Sequence, residues 1–78
     1  MPTVLRVGPY KFAFFSSDRM EPVHVHVLRD RQVAKFWLNP VAFGYSSGFK
    51  KHELHRIARL VGHYEKILIE AWHDYFDS

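Results

Sequence analysis

His24-Val25-His26 sets two imidazoles two residues apart. In extended backbone such side chains leave the same face, one pleat repeat apart. Three uses fit that spacing. One is acid/base chemistry on a phosphodiester, with one ring taking a proton and the other giving one; histidine's ordinary pKa suits both tasks near neutrality. Another is a metal site, in which the pair supplies two of three or four ligands. The third is no chemistry at all, two histidines merely exposed or at an interface. His-x-His is a common pattern and does not choose among them.

The elements that must position this pair lie in the first half of the chain. Residues 3–7, 10–16, 23–28 and 33–38 are rich in β-branched and aromatic residues and predict four strands. Gly8-Pro9 and Asp30-Arg31 mark hairpin turns, residues 16–22 a polar connection, and Asn39-Pro40 the end of the fourth strand. Pairing across Asp30-Arg31 sets His24 against Trp37, Val25 against Phe36, His26 against Lys35, Val27 against Ala34 and Leu28 against Val33. The opposite parity would bury Lys35 among valines, so the hydrophobic pattern selects this register. Around Gly8-Pro9, Val7 meets Tyr10, Arg6 meets Lys11 and Leu5 meets Phe12.

One sheet face then carries Leu5, Val7, Tyr10, Phe12, Phe14, Val23, Val25, Val27, Ala34, Phe36 and Leu38. The other carries Arg6, Lys11, His24, His26, Lys35 and Trp37 among Val4, Ala13, Phe15, Leu28 and Val33. Every charge drawn from the strands on that second face is positive, and the net charge of +3 lies wholly in residues 1–38. A basic face with interleaved aromatics suits a nucleic-acid backbone and unstacked bases; a solvated outer face is the plain alternative. On the first reading Lys35 stabilises developing phosphorane charge beside His24 and His26. Arg6 and Lys11 then hold phosphates, and Trp37 stacks a base.

Residues 39–49 read as a loop with apolar anchors in Phe43 and Tyr45. From Lys50 the period changes: Leu54, Ile57, Val61, Tyr64, Leu68, Ala71 and Tyr75 step by three and four, predicting one amphipathic helix over 50–77 with a kink point at Gly62. Its apolar arc is wider than one sheet needs, which suggests an oligomer or a partner protein unless residues 40–49 cover the surplus. Two acids fall inside the arc. Glu53 suits the free amides of the first turn, whereas Glu65 calls for an edge position or a basic partner.

The expected architecture is α+β, a single domain over residues 1–78: a four-stranded antiparallel sheet of two hairpins packed on one long C-terminal helix. At 78 residues it sits near the size at which a lone core suffices. With no cysteine, disulfides and thiolate metal sites are excluded. No basic-then-apolar leader opens the chain and no apolar run is long enough to span a bilayer, so the expected address is the cytoplasm.

The motifs MPTVLRVGPYKFAFFSSD, EPVHVHVLRDRQVAKFWLNPV, GF and ILIEAWHDYF, in that order, resemble the bacterial domain of unknown function family 4160. The motif residues fall here on Glu21, Pro22, His24, His26, Lys35, Trp37, Trp72 and His73. Lys50 stands where the family usually offers a serine-like helix cap. A likeness of His24-Val25-His26 to the histidine-triad hydrolases fails at the third alternating position, which is Leu28.

The resemblance implies a small bacterial protein paired with a second small protein in a toxin–antitoxin-like arrangement. It brings no established reaction. Joined to the residue reading, it gives three expectations. The first is a toxin-like module acting on RNA, metal-independent and ribonuclease-like if it is an enzyme, with no cofactor. The second is a non-enzymatic interaction module binding a cognate small protein. The third is a metal site built on His24 and His26.

Overall fold

The computed structural model describes residues 3–77. Met1 and Pro2, which open the first motif, and Ser78, the last residue of the expected domain, lie outside them. The strands are β1 (Thr3–Val7), β2 (Tyr10–Ala13), β3 (His24–Arg29), β4 (Gln32–Trp37) and β5 (Ala42–Ser47). They form one antiparallel meander in the order β1-β2-β3-β4-β5. The helices α1 (Lys51–His63) and α2 (Glu65–Asp77) follow. Among the described residues no helix is long and apolar enough to cross a membrane.

Both predicted registers are present. Val7 pairs with Tyr10, Arg6 with Lys11 and Leu5 with Phe12; the His24–Trp37 to Leu28–Val33 pairs all form, and Arg29 opposite Gln32 leaves a two-residue turn. That turn closes on Asp-Arg because Asp30 takes the left-handed conformation, φ 54°, which Asp tolerates better than most residues. The valine face is the core as expected. Phe12, Phe14, Val25, Val27 and Ala34 are fully buried and pack with Ile57, Val61, Leu68 and Trp72 of the helices.

Three expectations are corrected. The sheet has five strands, because residues 42–47 pair with β4 instead of looping. Gly44 hid this strand: it is the extra residue of a bulge, since Lys35 pairs with Tyr45 and Phe36 with Phe43. A Cβ on Gly44 would stand 2.9 Å from the Lys35 carbonyl oxygen, so only glycine lets the two backbones approach. Second, β2 ends at Ala13, and the connection to β3 winds into a 3-10 helix, Ser16–Met20.

Third, the helix is two helices. The break falls at Tyr64, with φ −101° and ψ 10°, two residues beyond Gly62. It shifts the phase of the inner face. Trp72 is buried in place of Tyr75, which is 41% exposed, and the larger indole meets Phe14 edge-on at 5.3 Å. Both inward acids find partners. Glu53 accepts from the Tyr10 hydroxyl and from Arg29, each at 2.8 Å, tying sheet to helix rather than capping amides. Glu65 accepts the Asn39 backbone N–H at 2.9 Å, not a basic side chain.

Candidate functional site

The alternation of β3 sends His24 and His26 off the core face, as the register requires. That half of the outer face is nonetheless not wet. The 3-10 helix folds back over it, and His24 is 0% and His26 7% exposed. Ala13, opposite His26, is fully covered too. Phe15 stacks edge-on to His26 at 4.4 Å, and Trp37 and Trp72 stand 5.3 and 5.2 Å from His24. The two imidazoles lie 5.2 Å apart between ring centroids.

What lies opposite them is Asp18, itself buried. Its carboxylate reaches back along the turn, where Oδ2 accepts the Phe15 backbone N–H at 2.8 Å. Oδ1 stands 3.2 Å from His24 Nε2, and Oδ2 stands 3.6 Å from His26 Nδ1. On its other side His24 Nδ1 lies 2.9 Å from the Pro22 carbonyl oxygen; a carbonyl only accepts, so Nδ1 carries the proton. His24 Nε2 and His26 Nδ1 are buried and have no hydrogen-bond partner among the described residues. One ligand-capable atom from each of Asp18, His24 and His26 lies within 4.8 Å of the other two. Burial pushes the His26 imidazole below its ordinary pKa, against the opposing pull of Asp18.

The other residues singled out in the sequence fall in two places. Lys35 belongs to the covered half: its Nζ donates to Glu21 at 2.6 Å and sits 4.4 Å above the Trp37 ring. Its ammonium holds the Glu21 carboxyl below the usual range, chiefly through that hydrogen bond. One face of the Trp37 ring is thereby occupied. Arg6 and Lys11 lie at the far end, and among the described residues neither has an ion-pair partner. With Pro9, Leu28, Arg29 and Asp30 they line an open groove of about 450 Å³.

The sequence reading therefore found two of the three clustered residues and missed Asp18. It also missed that Asp18 and Glu21 set two carboxylates over a face whose strands supply only positive charge. Ser16-Ser17-Asp18 reads as generic polar linker; its one signal is an acid three residues past Phe15, close enough to reach back to that N–H.

A second feature is the free edge of β5. All six of its residues are uncharged, and Phe43 and Tyr45 are 53% and 50% exposed. The bulge at Gly44 turns Phe43 toward Phe36, at 5.7 Å, while Tyr45 stands beside Lys35 on the opposite face. Between this edge and α1 runs an apolar groove of about 330 Å³, walled by Phe36, Phe43, Leu54 and Ala58 and rimmed by Lys51 and His55.

No curated protein and no solved structure matches the chain. Residues 10–73, a stretch that includes Asp18, both histidines, Lys35, the β5 edge and Trp72, match the family model of a domain of unknown function (DUF4160), and the chain belongs to that family.

Proposed function

We propose that the domain works by docking an extended segment of a partner protein onto the open edge of β5. The observation that carries this reading is the chemistry of that edge. Native sheets guard their edges with charges, proline, bulges or cover; β5 has the bulge at Gly44, but it has no charge and presents an aromatic on each side. An added strand would satisfy its free backbone groups and set alternate side chains into the groove beside α1. Lys51 and His55 on the rim, with Lys50 adjacent, favour a segment that carries carboxylates next to its apolar residues.

The test is selection from a displayed random-peptide library on the full-length protein, followed by mapping of an enriched peptide on amide NMR spectra. Peptides with alternating apolar residues and flanking acids are expected, with shifts centred on Ala42–Ser47. Phe43→Lys alters an exposed side chain and should weaken binding at least tenfold without unfolding the domain. Absence of enrichment, or shifts confined to α2 or the outer sheet face, overturns the reading. Self-pairing of β5 would appear as a dimer in sedimentation.

A second reading keeps the RNA expectation and rests on the groove at Arg6 and Lys11, of whose three cations these two are unpaired among the described residues while Arg29 is paired with Glu53. There the domain would bind RNA backbone rather than cleave it, because His24 is sealed and Lys35 and Trp37 engage one another. On this reading RNA affinity falls with salt, and removing Arg6 or Lys11 lowers the log–log slope by about 0.7 each. Salt-independent or absent binding rejects it, and cleavage lost on His26→Ala would restore the toxin-like ribonuclease.

A further inference from the structure

We propose that Asp18, His24 and His26 form a binding site for a divalent transition-metal ion, best matched by zinc. The Nδ1 proton of His24 is spent on the Pro22 carbonyl, so on a neutral ring Nε2 is a bare lone pair, buried 3.2 Å from Asp18 Oδ1 but out of line for a hydrogen bond to it. Two electron-rich atoms at that distance repel unless something cationic lies between them. His26 repeats the pattern: its Nδ1 is buried, has no hydrogen-bond partner and stands 3.6 Å from the same carboxylate.

An extra proton on His24 would answer for that ring alone. Protons on both would place two cations in rings 5.2 Å apart against Asp18, since the second carboxylate, Glu21, 3.7 Å from His24 Nδ1, is already paired with Lys35. A single metal ion answers for all three groups. A tetrahedral ion with bonds of about 2.0–2.1 Å holds its ligand atoms about 3.3 Å apart, close to the 3.2 Å found between Asp18 and His24. The third donor atom is within 4.8 Å of both, so the fit needs a small movement of the His26 ring.

The surroundings are those of a ligand set held in place. Metal-binding histidines ordinarily donate their other N–H to a carbonyl or carboxylate, and ligating carboxylates are themselves hydrogen-bonded. Here Pro22 orients His24, and the Phe15 N–H holds Asp18 Oδ2 and leaves Oδ1 free. Two imidazoles and a carboxylate suit zinc and its neighbours, not calcium or magnesium. The ion would join the 3-10 helix to β3 beneath Trp37 and Trp72, a crosslink in a chain that has no cysteine to make one.

The experiment uses full-length protein stripped with chelator and titrated with zinc chloride, then with cobalt chloride as a coloured probe. One equivalent should bind. Zinc should move the imidazole nitrogen resonances of His24 Nε2 and His26 Nδ1, leave His24 Nδ1 protonated, and leave the exposed His52, His55, His63 and His73 in place. Cobalt should give visible absorption of low-symmetry coordination. His26→Gln should lower affinity at least a hundredfold, and His73→Ala should not. If His26→Gln fails to fold, the wild-type imidazole spectrum still decides. Zinc that moves only the exposed histidines, or a His24 Nε2 that carries a proton without metal and keeps it when zinc is added, overturns the proposal.

Discussion

Asp18→Asn separates a metal ligand from a simple ion-pair partner, because the two roles give opposite signs in metal-free protein. Asparagine keeps an oxygen to accept the Phe15 N–H, now 2.8 Å from Asp18 Oδ2. Its amide can donate to His24 Nε2, which faces Oδ1 at 3.2 Å with no donor between them. The substitution thus replaces a repulsive contact with a neutral hydrogen bond, worth about 0.5–1.5 kcal/mol net. In a domain this small each kcal/mol moves Tm by about 4–8 °C, so the chelated variant should melt a few degrees above wild type. With zinc the order reverses. Free zinc at a hundred times Kd stabilises wild type by about 2.7 kcal/mol, or about 10–20 °C, while the variant, lacking its anionic ligand, should barely respond. Thermal melts by circular dichroism in chelator and in zinc measure both differences. The reasoning is refuted if the chelated variant is less stable by about 1.5–3 kcal/mol, the loss expected for a hydrogen bond between charged partners. A doubly protonated His24 would then be paired to Asp18 with no need of an ion.

Phe14→Ala removes a fully buried ring that touches Trp72, Tyr75 and Phe76. It should cost about 3–5 kcal/mol, read as a lower urea midpoint or outright unfolding. Gly44→Ala sets a methyl 2.9 Å from the Lys35 carbonyl. It should cost about 1–3 kcal/mol, with amide exchange accelerating in β5 before the other strands. The pair joining sheet to helix contributes at both pH extremes. The Glu53 carboxyl is held below its ordinary 4.5, first by the Tyr10 hydroxyl and then by Arg29. Its stabilisation is present above that value and lost as pH falls through the folded one, so Glu53→Gln should flatten the acid limb of urea midpoints. Tyr10 is raised above 10.0, by burial first and by Glu53 second. Its contribution is present below pH 10 and lost as pH rises through the folded value, so Tyr10→Phe should remove the alkaline limb.

The parts of this fold written in short-range pattern were legible. Alternation in Val23-His24-Val25-His26-Val27 and the position of Lys35 were enough to fix the β3–β4 register, because a one-residue slip would have buried a charge. What stayed hidden depended on long-range placement. β5 breaks its own alternation at Gly44, so Phe43 and Tyr45, two residues apart, end on opposite faces and look like loop anchors. The break at Tyr64 re-phases α2, and the choice of Trp72 over Tyr75 is made by the space beside Phe14. Asp18 was invisible for the same reason. Nothing local says that a carboxylate in a Ser-Ser-Asp turn will be carried over a sheet face whose own charges are all basic.

Size sharpens the meaning of that buried cluster. At about 0.05–0.15 kcal/mol per residue, a chain of 78 residues has roughly 4–12 kcal/mol of net stability. A buried polar atom left without a partner costs about 1–3 kcal/mol, and two of them, His24 Nε2 and His26 Nδ1, would consume a large share of that margin. Leucine or phenylalanine at either position would fill the same space beneath Phe15, Trp37 and Trp72 at no such cost. Neither ring has an open face, and the Asp18 carboxylate stands 3.2 and 3.6 Å from their nitrogens, where a phosphate would have to come. The ligand atoms of all three lie within 4.8 Å of one another, with His24 Nδ1 already fixed by the Pro22 carbonyl and Asp18 Oδ2 by the Phe15 N–H. An arrangement that is unfavourable alone, pre-oriented and convergent is stabilised by whatever cation occupies the convergence, and that ion would anchor the 3-10 helix over the central strand β3 while the sheet edge at β5, two strands away, stays free for a partner.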